Sequence, residues 1–253
     1  IRFLYIVETM YFGEKSAPVP EKQSVALRVP VLLLASCLAL GLFHASRGLY
    51  ESTEGRYAEC AREMARSGSW LEPVLNGKPH WTKPPLTYLA IRVPCSVLGP
   101  TTWAARLYLI PCFLLSVWAV GWMAFRMWRD RDTARLSAMV YATMGFPLFA
   151  SQSVSTDFPL AAAVAVAQAA FWEAFRTRSK GAVYLTWLLF GVAFLIKGPP
   201  ALLYLPAMIA TWFRIPKSER PSPGFFSPAA ILLFLAVSVS WYAWEAGHHA
   251  GLM

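Results

Sequence analysis

The chain has 253 residues, of which 57% are hydrophobic and only 15% are charged, whereas a soluble domain usually carries about 25% charged residues. This shortfall and the repeated apolar runs exclude an ordinary soluble domain and predict a polytopic membrane protein. The formal net charge is +9, but the basic residues lie in short loops between the apolar runs, as the positive-inside bias predicts. We therefore expect membrane lipids and a lipid-linked phosphate as partners, and no nucleic acid.

The amino-terminal segment, residues 1–26, mixes apolar and charged residues and predicts a weakly ordered cytoplasmic tail. The first predicted transmembrane helix is Leu27–Ala45, in which Arg28 can extend its charge to the interface. No small-residue cleavage site follows this run, so a cleavable signal peptide is not expected. The chain stops just after an apolar run, and we expect it to be the N-terminal part of a longer protein, truncated at the C-terminus.

The longest polar segment of the chain follows, from Glu51 to Leu86. Within it, Thr53–Ser67 has helical spacing. One apolar stripe is formed by Tyr57, Cys60 or Ala61, and Met64. Ser52 or Thr53 is predicted to cap this helix and Gly68 to end it. An apolar stripe on an otherwise charged helix is typical of a helix that lies in the membrane interface. The prolines and Asn76-Gly77 that follow predict turns.

The next apolar run, Pro84–Leu98, is predicted to be a second interfacial helix. It is shorter than the about 20 residues that a span needs, and Arg92 and Pro94 interrupt it. If it crossed the membrane, the strongest basic loop would lie opposite the N-terminal tail, against the positive-inside bias. That loop holds Arg126, Arg129, Arg131 and Arg135. Both interfacial helices thus belong to one outer loop, residues 46–102, which we expect to be catalytic.

Six further apolar runs are predicted to span the membrane: Trp103–Phe125, Leu136–Gln152, Phe158–Phe175, Ala182–Ile196, Ala201–Phe213 and Pro228–Trp244. With the first helix they make seven spans, all in one transmembrane domain over residues 27–253. This order leaves the arginine-rich loops in the cytoplasm and the acidic residues of the polar segment, with Asp157, on the outer face. The predicted fold class is therefore all-α, a polytopic membrane helical bundle.

Three polar features are predicted to meet on the outer face: Glu54-Gly55-Arg56-Tyr57, Asp157, and Lys197 beside Gly198-Pro199-Pro200. Each has a structural alternative. Glu54 can complement the helix N-terminus, Asp157 can cap the helix that follows it, and Lys197 can simply extend to the interface. However, ionisable groups beside Gly and Pro breaks at a membrane edge often line a cavity. Two carboxylates with several cations suit group transfer, in which a general base takes the acceptor's proton and cations stabilise a departing phosphate.

The order of motifs in this chain resembles that of the bacterial lipid-linked sugar transferases. The matching motifs are E-G-R-Y-A-E (54–59), A-R-E-M (61–64), G-S-W-L-x-P-x-L-N-G-K-P (68–79), K-P-P-L-T-Y (83–88), W-A-A-R-L (103–107), T-D-x-P-L (156–160) and K-G-P (197–199). The resemblance is to the aminoarabinose transferases that modify lipid A and to their relatives in the protein O-mannosyltransferase superfamily, and it implies the GT-C fold. It also implies transfer of a sugar, with inversion, from a polyprenyl-phosphate donor to a lipid A, glycan or protein acceptor.

Position by position, the resemblance implies Glu54 and Asp157 as catalytic residues and Arg56, Tyr57, Lys83 and Lys197 as substrate-binding residues. Arg56 and Lys83 correspond to contacts of the donor phosphate. Many relatives carry an essential aspartate at the position of Thr53, so either Glu54 takes that role or this copy is weakened. Relatives often have an acidic residue at Thr82 that helps bind a metal, and a hydroxyl cannot replace it. No metal is expected there, and a divalent metal is the one cofactor left open.

Two other classes of function compete with the glycosyltransferase hypothesis. A transporter or flippase of lipid-linked substrates would show internal repeats and helices broken near the midplane, and the sequence has no convincing repeat. An inactive structural relative is suggested by Thr53, where the resemblance leads one to expect an aspartate.

Overall fold

The computed structural model describes residues 46–221 and 224–249, so the predicted tail and the predicted span Leu27–Ala45 lie outside it. The described part of the chain is mostly helical, and the predicted all-α class is confirmed. We number the helices in chain order: α1 (Arg56–Ser67), α2 (Leu86–Leu98), α3 (Thr102–Arg106), α4 (Leu109–Trp128), α5 (Arg131–Thr143), α6 (Gly145–Ala150), α7 (Asp157–Thr177), α8 (Lys180–Lys197), α9 (Leu205–Arg214) and α10 (Pro228–His248).

The polar segment forms the amphipathic helix α1 and then a short hairpin. Helix α1 ends at Gly68, whose φ of +77° is left-handed, as the sequence predicts. The hairpin pairs β1 (Val74–Leu75) with β2 (Lys78–Pro79), and its turn is Asn76-Gly77 with positive φ at both residues. The predicted cap at Ser52 or Thr53 is wrong. Both residues lie inside a π-helical turn, Glu51–Gly55, which leads directly into α1.

Within residues 46–221 and 224–249, four helical segments are long and apolar enough to cross a membrane, and they match four of the predicted spans. They are Thr102–Trp128 (α3 and α4), Asp157–Thr177, Lys180–Lys197 and Pro228–His248. The shorter helix α2 has 13 residues, which is less than a span needs. This length agrees with the predicted interfacial position of α2, and the seven-span count and the sidedness stay predictions.

Two of the predicted spans are interrupted rather than continuous. Leu136–Gln152 is divided into α5 and α6 at Met144, whose backbone is extended with ψ of 135°. Pro147 explains the break, because a proline ring clashes with the carbonyl four residues earlier, here that of Thr143, the last residue of α5. Ala201–Phe213 is likewise divided into a 3₁₀ helix, Pro199–Tyr204, and α9.

Helices α1 and α2 pack onto the first turns of α4 through a shared apolar core. The stripe of α1 is buried against α2, where the rings of Tyr57 and Tyr88 lie 5.5 Å apart. The same cluster includes Leu109 and Phe113 of α4. Helix α7 packs between α4 and α8, and α8 packs against α10. Because α7 and α8 are antiparallel, the first residue of α7 and the last of α8 lie at the same end of the bundle.

Candidate active site

Glu54 lies in the turn before α1 and is only 6% exposed. Its Oε2 atom accepts hydrogen bonds from Arg47 Nη1 at 2.7 Å, the Tyr50 amide at 2.8 Å and Arg106 Nη2 at 3.3 Å. Its Oε1 atom accepts from Arg47 Nη2 at 3.1 Å and from the Val154 amide at 2.8 Å. A carboxylate accepts about four hydrogen bonds, so both oxygens of Glu54 are saturated.

These partners keep Glu54 ionised. Burial alone would raise the pKa of its carboxyl, but the hydrogen bond from Arg47, the amides of Tyr50 and Val154 and the charge of Arg106 together lower the pKa below its usual range. A saturated carboxylate of low pKa is a poor proton acceptor. This geometry therefore favours a structural role for Glu54 over the predicted role as general base.

Arg106 completes this cluster and was not among the residues singled out from the sequence. It is 0% exposed and donates to the carbonyls of Arg47 at 3.0 Å and Gly48 at 2.8 Å, as well as to Glu54. The signal was present in the W-A-A-R-L motif, since an arginine at the start of an apolar run needs partners. The guanidinium joins the start of the span Thr102–Trp128 to the segment that precedes α1.

The same cluster anchors the segment that leads into α7. Arg47 donates to the carbonyl of Gln152 at 2.9 Å and to the hydroxyl of Ser153 at 3.2 Å. The hydroxyl of Tyr108 donates to the Ser155 carbonyl at 2.9 Å and accepts from the Ser155 amide at 3.2 Å. Asp157 follows two residues later, so its backbone position depends on these contacts.

Asp157 and Lys197, both predicted site residues, form an ion pair between the start of α7 and the end of α8. The Asp157 side chain is 72% exposed and that of Lys197 is 20% exposed. Helix α7 begins at Asp157 itself, with no side-chain cap at its N-terminus, so the capping alternative is not observed. Among the described residues, Lys197 is the one hydrogen-bonding partner of Asp157 and contacts only Oδ1. The Oδ2 atom thus remains accessible.

The other predicted substrate contacts lie around the start of α1 and the turn before α2. Arg56 is exposed and lies 5.8 Å from the ring of Tyr57, which is itself buried in the core. Lys83 is half-buried and forms no salt bridge with any described residue. Neither Arg56, Tyr57 nor Lys83 forms a hydrogen bond or ion pair with Asp157 or Lys197. Of the six predicted site residues, Asp157 and Lys197 are therefore the pair that the described structure joins by an ion pair.

Thr82 lies in the region where the sequence predicts no metal site. Its hydroxyl lies 2.7 Å from Nε2 of His80. Burial, followed by the charge of Arg56, lowers the pKa of His80, which favours the neutral imidazole. Within residues 46–221 and 224–249, no three acidic, histidine or cysteine side chains converge in a way that could hold a metal ion.

The family model for dolichyl-phosphate-mannose-protein mannosyltransferase matches residues 47–245. The chain belongs to this family. This match covers α1 to most of α10, including Glu54, Asp157 and Lys197. The predicted resemblance to the protein O-mannosyltransferase superfamily is therefore confirmed.

The curated relatives of this chain include proteins described as undecaprenyl phosphate-alpha-4-amino-4-deoxy-L-arabinose arabinosyl transferase. The protein of Pseudomonas aeruginosa strain LESB58 is 30% identical over 212 residues, which is 81% of this chain and 38% of the relative. That of Pseudomonas savastanoi pv. phaseolicola is 30% identical over 226 residues, 85% of this chain and 40% of the relative. The chain thus spans well under half the length of these relatives.

Crystal structures of ArnT from Cupriavidus metallidurans have the same fold. The apo structure aligns with a TM-score of 0.76 and 24% identity, over 90% of this chain and 43% of that chain. The structure bound to undecaprenyl phosphate aligns with a TM-score of 0.73 and 23% identity, over 89% of this chain and 43% of that chain. The predicted GT-C-like membrane bundle is confirmed by this likeness.

Proposed function

We propose that the full-length protein is a glycosyltransferase that moves a sugar from a polyprenyl-phosphate donor to a lipid A, glycan or protein acceptor. Membership of the mannosyltransferase family and the activity named for the arabinosyl transferase relatives support this proposal. We further propose that the protein lies in the bacterial inner membrane, with its site on the periplasmic face. The observation that carries the assignment is the accessible carboxylate of Asp157, held by Lys197 beside the interfacial loop.

In this proposal Asp157 is the general base. Its Oδ2 atom accepts the proton of the acceptor hydroxyl while the acceptor oxygen forms a bond to the anomeric carbon. The bond from that carbon to the phosphate oxygen breaks, and its electron pair leaves with the polyprenyl phosphate. Attack from the face opposite the phosphate inverts the anomeric centre. Lys197 orients the carboxylate of Asp157 through their ion pair.

Arg56 and Lys83 are proposed to stabilise the departing phosphate. Both are cations in the interfacial loop, and neither is engaged in a salt bridge with a described residue. A guanidinium forks onto two phosphate oxygens, whereas an ammonium acts as a point charge. Tyr57 is buried beside Arg56, and we propose that it supports the position of Arg56 rather than contacting substrate.

Glu54 is proposed to act as a positioning residue. It holds the Val154 amide, three residues before Asp157, and thereby fixes the start of α7. The alternative of an inactive relative rests on Thr53, which is exposed and carries a hydroxyl where the family resemblance leads one to expect an aspartate. If Asp157 suffices as the base, Thr53 is compatible with activity. New activity in Thr53→Asp would support the inactive relative instead.

The test uses purified full-length protein with an undecaprenyl-phosphate sugar donor and lipid A, and product is detected by mass spectrometry. We expect transfer by the natural protein and a loss of at least about a hundredfold in kcat for Asp157→Asn, the scale of a lost general base, without a change in thermal stability. Asp132→Asn is the matched control, because Asp132 also pairs with a basic residue at a helix start but lies far from the site. A rate for Asp157→Asn close to that of Asp132→Asn would refute the assignment. Movement of the donor across liposomes without any new glycosidic bond would favour a flippase.

A further inference from the structure

A cavity lies along one flank of α1, and the groups used in the proposed transfer do not line it. Its volume is about 590 Å³, and it runs between α1, the end of α2 and the start of α3. We call it the α1 groove. Its described lining residues do not include Arg56, Lys83, Asp157 or Lys197, so the proposed reaction leaves it unexplained.

The interior of the α1 groove is apolar and formed mainly by small side chains. Ala58 and Ala65 line it from α1, Ala105 lines it from α3, and Leu49 closes one side. At Gly55, a Cβ atom would meet nothing within 4 Å, which shows how open this end is. Such a volume is in the range of ligand sites, and a hydrocarbon chain placed in it would gain free energy by losing contact with water.

The polar edge of the α1 groove carries a net positive charge. Its charged lining residues are Glu59, Arg62 and Arg66. Arg62 Nε donates to Glu59 at 2.7 Å, so these two charges are paired with each other. Arg66 is exposed and forms no salt bridge with a described residue. Its guanidinium is therefore available to an anion, and phosphate is the anion that its fork matches well.

The groove also lies beside the start of a segment that is long and apolar enough to span the membrane. Thr101 and Thr102 line it, and Thr102 is the first residue of the span Thr102–Trp128. The start of a span marks the boundary between the hydrocarbon and the headgroups. From the apolar interior, the unpaired arginine and this depth, we propose that the α1 groove binds an anionic phospholipid of the outer leaflet, with its phosphate at Arg66 and an acyl chain against Ala58 and Ala105.

The experiment uses full-length protein in phosphatidylcholine nanodiscs that contain a phosphatidylglycerol analogue with a photoreactive acyl chain. After illumination, labelled peptides are identified by mass spectrometry. We expect label in residues 58–66 and 95–105. Arg66→Gln should lower it about five-fold, the effect of one arginine at an anionic lipid surface. Ala58→Phe, which fills the groove, should lower it as well. Arg176→Gln removes an exposed arginine at the other end of the bundle and should leave this label unchanged.

Three results would overturn the proposal. Equal labelling by a photoreactive phosphatidylcholine would show that the anionic headgroup is not recognised. Unchanged labelling in Arg66→Gln would show that this arginine does not bind the lipid. Competition by inorganic phosphate as effective as that by unlabelled phosphatidylglycerol would show a site for free phosphate instead.

Discussion

Replacing Arg106 by glutamine should destabilise the protein far more than an equivalent change at the surface. The pair Arg106–Glu54 has an N–O distance of 3.3 Å with side chains 1% and 7% exposed, whereas Arg135–Asp132 has 3.2 Å with both side chains 42% exposed. The two pairs thus have similar distances but differ in burial, and Arg106 also donates to two backbone carbonyls. Breaking a buried pair by removing one partner costs about 3–5 kcal/mol, and an exposed pair is worth about 0–1 kcal/mol.

For Arg106→Gln we expect the lower end of this range, about 3 kcal/mol, because Arg47 continues to neutralise Glu54 at 2.7 Å. In a domain of this size 1 kcal/mol shifts Tm by about 2–4 °C, so Tm should fall by roughly 6–12 °C. Arg135→Gln should shift Tm by less than about 4 °C. Both are measured by tryptophan fluorescence during heating of the full-length protein in detergent. Equal shifts in the two variants would refute the argument that burial decides the effect.

Three further predictions concern Gly191, Gly68 and Glu54, each measured as a change in Tm. Gly191→Ala should lower the free energy of unfolding by about 1–3 kcal/mol, because the new Cβ would lie 2.9 Å from Val237 of α10. Gly181→Ala is the control and should be tolerated, since its Cβ would lie 3.6 Å from the nearest atom. Gly68→Ala should lower the free energy of unfolding by about 1–2 kcal/mol, because residue 68 has a left-handed φ of +77°. Gly55→Ala is the control and should not destabilise the protein, since residue 55 has a helical φ of −60°. The folded-state pKa of Glu54 lies below its usual 4.5, so its stabilisation is present above that pH and lost as pH falls through the folded pKa. Glu54→Gln should therefore lose less Tm between pH 7 and pH 4 than the natural protein, and an equal loss would contradict the assignment.

Features that depend on neighbouring residues were predictable from the sequence. The apolar stripe of α1 recurs every three to four residues, Gly68 supplies the left-handed conformation that ends the helix, and four runs have the length and hydropathy of a span. The break at Met144 was missed although its cause, Pro147, lies only three residues away. Hydrophobicity averaged over the run outweighed the local rule that a proline disrupts the preceding turn.

The chemistry of Glu54 shows where local sequence is insufficient. Its motif indicates a carboxylate in an interfacial helix, and family resemblance implies a catalytic one. Its partners Arg106 and Val154 lie 52 and 100 residues away in the chain, and no local pattern reports that they converge. Whether a carboxylate is saturated or accessible depends on such long-range contacts, because every donor that reaches it lowers its proton affinity.

The sequence alone thus determined the membrane class, the amphipathic character of α1 and its end at Gly68, since hydropathy, charge and glycine act over a few residues. The packing of α7 against α4 and α8 determined the rest. It brings Asp157 to Lys197 and leaves that carboxylate exposed, while it encloses Glu54 between two arginines. The two carboxylates therefore differ in burial and in hydrogen bonding, because both are set by the assembled helices.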